Sequence, residues 1–344
     1  MRLSFVSSLA VVVISWVVFL PFHQVEACSR IFWNSNGQAM LVARNMDLVD
    51  YPVIYVMPAG ISKEGKTEDD NPARWTSKYG SVVMAFWRCA DLCDEGINTQ
   101  GLAFHYLFMS DTEYEERDLS RPGVDGGIFG QYLLDNAATV KEALDLMFPP
   151  QNTQLVPGLG DLFPCHVALE DATGDSAVVE FIDGEMVVYH GPAHTVLTNE
   201  PPLDQQLDNL KRYRKFGGNL PWPGDVESMD RFVRASAFLL TLNSQPFPSL
   251  HPNLISRLFS AIRAAATPFG TRASDGNSWP TIWTSLFDLT NKTIYFTDTV
   301  AKNNFWIDMG KLNFSPSAPV LYLEAYRPGL FGEVSGLFIP LPQE

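Results

Sequence analysis

The chain has 344 residues, of which 46% are hydrophobic and 12% aromatic, which is enough apolar material for a large core and too much for a disordered chain. Its formal net charge is −15, and no run of Lys and Arg reaches four residues. Nucleic-acid-binding proteins and proteins that bind anionic membranes need a basic surface, so the composition argues against both classes of partner.

Residues 1–27 are predicted to be a leader that is not part of the fold. Arg2 is the only charged residue before Glu26, and residues 9–20 are free of charge and strongly apolar. With a small residue at the end, this pattern predicts a secretory signal peptide that is cleaved after Ala27, and hence an exported protein, periplasmic or secreted. One alternative is an uncleaved membrane anchor, although serines and a proline dilute the apolar run. The other is a lipoprotein, since Cys28 follows an apolar-x-small triplet. After cleavage no apolar stretch long enough for stable membrane insertion remains.

The chain after the leader holds four cysteines, Cys28, Cys89, Cys93 and Cys165. Four cysteines in a chain of this length do not make a disulfide scaffold. Export would allow Cys89 and Cys93 to pair, and the sequence leaves that pairing open.

The predicted elements begin with a β-hairpin. Asn36-Gly37 lies between two apolar-rich runs, residues 29–34 and 38–42, an arrangement typical of a hairpin, so the mature chain is expected to open with a strand at Cys28. Further short strands are expected at 52–58, 78–87 and 101–108. The spacing of apolar residues predicts one helix over 130–147, ended by Pro149 and Pro150.

The rest of the chain alternates strands and helices. Turn-rich connectors separate apolar runs at 166–170, 176–182 and 185–189, which predicts an antiparallel meander that 196–198 continues. Two helices are predicted over 229–242 and 253–266, then a hairpin of 281–289 with 292–297, then a strand over 304–309. Such a series indicates an α+β layered protein. Because no linker divides the chain, we expect a single domain over residues 28–344.

Several common catalytic motifs are absent from the sequence. There is no G-x-S-x-G nucleophile elbow, no H-E-x-x-H metal motif, no Walker A loop and no complete dinucleotide-binding glycine pattern. The six histidines are scattered singly, which does not match the spacing of metal ligands. We therefore expect neither a metal nor an organic cofactor.

Cleavage after Ala27 would make Cys28 a new N-terminal residue with two reactive groups. Its thiol is a nucleophile, and its α-amine, with a reference pKa of about 7.7–8.0, is a general base when neutral. Such a site needs a group that binds the amine and a positive charge that favours the thiolate. Asp47, which the hairpin returns to Cys28, fits the first need, and Arg44 fits the second. The alternative is that Cys28 merely follows the cleavage site and that Arg44 and Asp47 form a surface pair.

Segments along most of the chain resemble the choloylglycine hydrolase family. They are residues 28–30 with 43–47, 75–81, the G-x-N-x-x-G-L pattern at 96–102, the L-T-N segment at 197–201, 230–235 and 304–308. The family includes penicillin V acylases, conjugated bile salt hydrolases and N-acyl homoserine lactone acylases. The resemblance, which is greatest to penicillin V acylases of Gram-negative bacteria, implies an αββα sandwich of the N-terminal nucleophile hydrolase type. It also implies hydrolysis of the linear amide bond of an N-acylated small molecule, without a cofactor.

The resemblance also implies roles for individual residues. Cys28 would be the nucleophile and, through its amine, the base, while Asp47 binds that amine and Arg44 favours the thiolate. Asn199 would donate its side-chain amide to the oxyanion, and Arg231 would support the network around Cys28 and Asp47.

Three apolar residues are candidates for the acyl pocket. Phe108 stands where bile salt hydrolases carry Asn and penicillin V acylases often carry Tyr or Trp, and Met46 and Leu48 flank Asp47. Because Phe has no polar hydrogen to donate, the second oxyanion donor would have to be a backbone N–H. The expected substrates are penicillin V, then a long-chain N-acyl homoserine lactone, then a conjugated bile salt.

Two further alternatives remain at the level of the sequence. The chain could be an exported acyl-ligand-binding protein with a catalytically inactive site, or one whose Cys28 is lipidated, which would block the amine. The segment between Asn199 and Arg231 is shorter than in bile salt hydrolases, whose longer insertion helps tetramer assembly, so a homotetramer stays an open expectation.

Overall fold

The computed structural model describes residues 27–342 except 48–51, 70, 86–91, 150, 158–163, 243, 245–250 and 275. Residues 1–26, Leu48 and Cys89 therefore lie outside the described residues, and the expectations about them stay predictions.

The described residues form strands in two large and two small sheets, with five α-helices. The strands are β1 (Ala27–Trp33), β2 (Leu41–Asp47), β3 (Val53–Met57), β4 (Ser62–Glu64), β5 (Arg74–Thr76), β6 (Ser81–Ala85), β7 (Glu95–Asn98), β8 (Ala103–Phe108), β9 (Gly123–Asp125), β10 (Gln154–Val156), β11 (Cys165–Glu170), β12 (Ser176–Ile182), β13 (Glu185–His190), β14 (Val196–Leu197), β15 (Trp283–Asp288), β16 (Thr293–Asp298), β17 (Asn304–Asp308), β18 (Leu321–Glu324), β19 (Phe331–Glu333) and β20 (Ile339–Pro340). The helices are α1 (Gly126–Asn136), α2 (Val140–Met147), α3 (Leu203–Leu210), α4 (Ser228–Leu242) and α5 (His251–Arg263).

Two large sheets stack face to face between helical layers. One has seven strands in the order β14-β1-β2-β15-β16-β17-β19, and the other has nine in the order β13-β12-β11-β8-β7-β6-β3-β18-β20. Helices α4 and α5 pack on β1 and β2, while α1 packs on β7 and β8. One buried apolar cluster combines residues of both sheets with α4 and α5, and a second joins the nine-stranded sheet to α1 and α2. The α+β layered architecture predicted from the sequence is confirmed.

The opening hairpin sets the position of the first candidate residues. Asn36 closes the turn, because its side-chain amide donates to the carbonyls of Trp33 and Ala39 while its oxygen accepts backbone N–H groups. Gly37 takes the left-handed conformation, with φ +75°, as Gly does readily in such turns. In the resulting register Cys28 is opposite Met46, and Arg30 is opposite Arg44. Paired residues share a face of the sheet, so these four side chains project together.

The G-x-N-x-x-G-L pattern forms the turn between β7 and β8. The Asn98 side chain donates to the carbonyls of Leu134 and Ala137, at 2.8 and 2.7 Å, and accepts the N–H groups of Gln100 and Leu102. Gly101 has φ +90°, and a Cβ there would lie 2.6 Å from the carbonyl oxygen of Leu289. The turn therefore ties the nine-stranded sheet to the end of α1 and approaches the seven-stranded sheet closely.

Two predictions about elements are wrong. Strand β14 pairs with β1 in the seven-stranded sheet and does not continue the meander of β11 to β13. The helix expected over 130–147 is two helices, since α1 ends at Asn136 and α2 begins after Thr139. Thr139 accepts the N–H of Glu142, and the Glu142 carboxylate accepts the N–H of Ala138, an arrangement close to a capping box, shifted by one residue, that starts a new helix.

Candidate active site

The backbone of Cys28 is fixed on both sides. Its nitrogen, still a peptide nitrogen joined to Ala27, donates to Oδ1 of Asn199 at 2.7 Å. Its carbonyl oxygen accepts a hydrogen bond from Nη1 of Arg231. Cys28 is buried at the start of β1, so these contacts hold the residue in one orientation at the strand end.

Arg44 lies beside the Cys28 thiol. Its Nη2 is 3.4 Å from Sγ, and Sγ is 3.8 Å from the sulfur of Met46. The guanidinium also forms an ion pair with Asp94 and donates to the carbonyl oxygen of Tyr106. Burial opposes the charge, but Asp94 and Cys28 outweigh it and raise the pKa of Arg44 further. A fixed cation at this distance favours the thiolate form of the cysteine.

Asp47 ends β2 opposite Ala27, one residue before the thiol. Its Oδ1 accepts a hydrogen bond from the Thr281 hydroxyl, whereas Oδ2 makes none among the described residues and lies 4.0 Å from Nη1 of Arg231. Burial raises the pKa of this carboxyl to about 7, against the opposing effect of Arg231. A buried carboxylate with an unsatisfied oxygen is poorly solvated, and an adjacent ammonium group would compensate it.

Asn199 and Arg231 connect the amine side of Cys28 to the adjoining loop and helix. Oδ1 of Asn199 also accepts from Nη2 of Arg231 at 2.6 Å, and Nδ2 donates to the carbonyl of Phe108 at 2.8 Å. A carboxamide nitrogen carries two hydrogens, so the Phe108 contact uses one of them. The backbone of this segment is held by the Ser228 hydroxyl, which accepts the N–H of Asn199, and by His166, whose Nε2 lies 2.8 Å from the carbonyl oxygen of Thr198.

The structure thus brings together Cys28, Arg44, Asp47, Asn199 and Arg231, the five residues chosen as catalytic candidates. Of the pocket candidates, Met46 contacts the thiol, Phe108 lies buried at the end of β8, and Leu48 is outside the described residues. The alternative of a surface pair is wrong, because Arg44 and Asp47 are at most 1% exposed.

Sequence reasoning missed several residues that hold these five in place. Asp94, Glu95 and Thr281 contact Arg44 or Asp47, and none of them was a candidate. An acidic pair directly before the G-x-N-x-x-G-L pattern at 96–102 is an available signal, since carboxylates buried beside such a pattern would require cationic partners.

The remaining thiols and acidic groups form no other centre in the described part of the chain. Cys93 is a free, buried thiol, and burial raises its pKa well above the usual value, so it is inert rather than reactive. Within the described ranges, no group of three or more His, Cys, Asp or Glu residues is arranged to hold a metal ion. Nor does any helix in those ranges have the length and apolar character needed to cross a membrane.

Sequence comparison assigns the chain that carries these residues to a known family. The profile of the linear amide C–N hydrolases of the choloylglycine hydrolase family matches residues 28–322, starting at Cys28. The chain belongs to the choloylglycine hydrolase family. It is 32% identical to the penicillin V acylase of Pectobacterium atrosepticum over 343 residues, covering 91% of this chain and 90% of that protein. It is 27% identical to the bile salt hydrolase/transferase of Lactiplantibacillus plantarum over 236 residues, covering 60% of this chain and 67% of that protein.

Solved structures agree with this membership. Penicillin V acylase from Agrobacterium tumefaciens superposes with a TM-score of 0.81 at 32% identity, covering 92% of this chain and 98% of that one. A variant of conjugated bile acid hydrolase from Clostridium perfringens superposes with a TM-score of 0.73 at 21% identity, covering 88% and 98%. The protein is therefore an α+β αββα sandwich of the N-terminal nucleophile hydrolase type and a hydrolase of linear amide C–N bonds.

Proposed function

We propose that the protein is an exported cysteine amidase in which Cys28, released as the N-terminal residue, attacks the amide of an N-acylated small molecule. The observation that carries the proposal is the pairing of Cys28 Sγ with Arg44 at 3.4 Å, next to the buried, incompletely bonded carboxylate of Asp47. The Arg44 contact favours a thiolate, and the Asp47 carboxylate is suited to bind the new α-ammonium.

The chemistry follows from these groups. The neutral α-amine of Cys28 takes the thiol proton, and the thiolate attacks the amide carbonyl carbon. The tetrahedral oxyanion receives a hydrogen bond from Nδ2 of Asn199 and a second from a backbone N–H, since Phe108 has no side-chain donor. The C–N bond then breaks, and the α-ammonium protonates the leaving amine. Water then attacks the thioester carbonyl while the α-amine takes one of its protons. The C–S bond breaks, the α-ammonium returns that proton to the Cys28 sulfur, and the carboxylic acid is released.

Penicillin V and a long-chain N-acyl homoserine lactone are the favoured substrates. Met46 contacts the thiol, and the backbone carbonyl of buried Phe108 accepts from Asn199, so two apolar residues lie close enough to the reacting groups to contact an acyl chain. The relatives with 32% identity are penicillin V acylases, whereas the bile salt enzymes match with lower identity. A conjugated bile salt is the runner-up, and a homotetramer remains a proposal to be tested by light scattering.

Export is part of the proposal because it supplies the free amine. The leader pattern of residues 1–27 supports cleavage after Ala27 and delivery to the periplasm or the medium. Expression of the full chain in a Gram-negative host, followed by fractionation and N-terminal sequencing, tests it. A protein that starts at Cys28 outside the cytoplasm supports the proposal, and an acylated Cys28 or a retained leader contradicts it.

The decisive assay compares three substrates on the purified processed enzyme. Penicillin V, a long-chain N-acyl homoserine lactone and a glycine-conjugated bile salt are offered at equal concentration, and amine release is measured. Cys28→Ala should lower kcat by about 10³-fold or more, as expected when a nucleophile is removed, and Cys165→Ala, another buried cysteine, is the matched control. Acid quenching should trap an acyl adduct on the peptide that carries Cys28. Full activity in Cys28→Ala would overturn the mechanism.

A further inference from the structure

A chain of charged side chains lies buried between the two sheets, behind the thiol. It runs from Arg30 on β1 through Glu170 on β11, His105 on β8 and Glu95 on β7 to Arg44 on β2. All five side chains are at most 1% exposed. Charged groups are rarely placed in a dry interior unless each has a partner of opposite sign. The mechanism described above uses only Arg44, so the rest of the chain calls for an explanation.

His105 is the centre of this chain. Its Nδ1 is 3.0 Å from Oε2 of Glu95, and its Nε2 is 3.3 Å from Oε2 of Glu170. The ring stacks on Phe287 of β15, with centroids 5.3 Å apart, which fixes its plane. A neutral imidazole has one N–H and would turn a lone pair toward one of the two carboxylates. Burial opposes protonation, but Glu170 and Glu95 outweigh it and raise the pKa of His105, so the ring carries a positive charge that faces both carboxylates, with a hydrogen bond to Glu95 and an ion pair with Glu170.

Glu95 has two competing cationic neighbours. Its Oε2 is 3.6 Å from Nη1 of Arg44 but 3.0 Å from His105, and it also accepts the hydroxyl of Ser285 at 2.9 Å. Arg44 in turn is 3.4 Å from the Cys28 sulfur. Asp94 is the nearer partner of Arg44, and the compensation of the Glu95 charge therefore adjusts, on top of Asp94, how much of the Arg44 charge acts on the thiol.

We propose that His105 is a positioning residue of the amidase, which holds and neutralises Glu95 so that the Arg44 guanidinium acts on Cys28. Glu170 and Arg30 complete the chain on the far side, where Arg30 also donates to the Ser176 hydroxyl and the His194 carbonyl, both at 2.8 Å. Asp94, which pairs with the other side of Arg44, balances the third positive charge. The inference rests on the proposed role of Cys28 as nucleophile.

The test measures how fast iodoacetamide alkylates Cys28 as a function of pH, by mass spectrometry of the peptide that carries it. In His105→Gln a positive charge is lost, so Glu95 draws more strongly on Arg44. The apparent pKa of Cys28 should then rise by about one unit, which makes alkylation about tenfold slower at pH values below that pKa. In Glu95→Gln a negative charge is lost while Asp94 still holds Arg44, so the apparent pKa should fall. The opposite signs are the specific expectation, because a merely structural role would move both variants the same way.

Two controls keep the result interpretable. His190→Gln makes the same replacement on the same sheet at an exposed histidine outside the chain of charges, and it should leave the profile unchanged. Ser285→Ala removes one neutral donor to Glu95 without changing any charge, and it should raise the apparent pKa of Cys28 by less than His105→Gln does. This milder variant replaces His105→Gln in the test if His105→Gln fails to fold.

The outcomes separate this inference from the proposed function. Unchanged profiles in His105→Gln and Glu95→Gln, or shifts of the same sign, would overturn the role of His105 even if Cys28→Ala abolishes amide hydrolysis. Amide hydrolysis that persists in Cys28→Ala would overturn the proposed nucleophile, whatever the alkylation profiles show. In turnover assays His105→Gln should lower kcat by about tenfold with little change in KM, the magnitude that one pKa unit of lost thiolate allows.

Discussion

Arg30 and Arg44 lie directly opposite each other on β1 and β2, and both side chains enter the space between the two sheets. Like charges in this position repel each other, so the compensation must come from the opposite sheet. Glu170 pairs with Arg30, and Asp94 and Glu95 pair with Arg44. The two arginines are structurally similar, but only Arg44 reaches the thiol.

This arrangement predicts different effects for the same change at the two positions. Arg44→Lys keeps a charge but has no planar fork to reach Asp94, Tyr106 and Cys28 together. We expect kcat/KM to fall by about 10–100-fold, or about 1.4–2.7 kcal/mol of transition-state stabilisation. Arg30→Lys should instead cost about 1–3 kcal/mol of unfolding free energy through unsatisfied buried partners, with a smaller loss of kcat/KM than Arg44→Lys, because Arg30 does not touch the thiol. Urea denaturation and steady-state kinetics on both variants test this, and equal losses of activity would contradict it.

Asn199 offers a test of oxyanion stabilisation. Removing one side-chain donor from such a site typically lowers kcat by about 10²–10³-fold, so Asn199→Ala should lose that much with a smaller change in KM. Asn209→Ala on α3 is the matched control, because its side chain accepts from Arg212 away from Cys28. A higher KM with kcat preserved would argue against the donor role, because it would mean that Asn199 only helps to bind the substrate.

Asp47 predicts a dependence of stability on pH in the unprocessed chain. The pKa of its carboxyl is about 7 in the folded chain against a reference of 3.8, so between these values the folded state binds a proton that the unfolded state lacks. The free energy of unfolding of the unprocessed chain therefore falls as pH rises from about 4 to 7, because of this carboxyl, and stays reduced above that range. The reduction is at most about 4 kcal/mol by the linkage relation, at 1.36 kcal/mol per pKa unit.

Asp47→Asn removes this titration. The unprocessed variant should be more stable than the parent above about pH 7 and similar to it near pH 4, as measured by chemical denaturation across pH. The processed variant should lose activity, because it cannot bind the α-ammonium as a carboxylate does. A variant that is less stable than the parent at pH 8 would show that the carboxylate is already compensated.

The turn between β7 and β8 predicts a structural effect without a catalytic one. Asn98→Asp keeps the shape but turns a carboxylate oxygen toward the carbonyls of Leu134 and Ala137, which the amide now satisfies. The loss of buried donors should cost about 2–4 kcal/mol of unfolding free energy, since each unsatisfied group costs about 1–3 kcal/mol. Asn136→Asp, at a part-buried position at the end of α1, is the control and should cost less.

The parts of the site that were predictable lie close together in sequence. Asn36-Gly37 predicts the hairpin, and the hairpin alone returns Arg44 and Asp47 to Cys28 because its register follows from turn length. Asn199 and Arg231 were assigned only through the family resemblance, since no local pattern links them to Cys28.

The stacking of the two sheets was not predictable from local patterns. The alternation within β8 indicates that His105 shares a face with Ala103 and Leu107, but not that Glu170 on β11 and Glu95 on β7 flank it. Likewise β14 follows β13 in the chain yet pairs with β1, because the connection crosses from one sheet to the other. Such contacts depend on tertiary packing, which periodicity does not encode.

The first residues of a chain usually fray because little holds them. In the processed enzyme proposed here the reactive residue would itself be that first residue, which makes fraying a direct threat to activity. Arg30 counters it two residues later, since its buried contacts with Glu170, Ser176 and His194 pin the strand from the same face that carries the thiol. Cleavage of the leader would then free the amine while the sulfur stays in its position. The chemistry of the N-terminus would change, and the end of β1 would remain fixed.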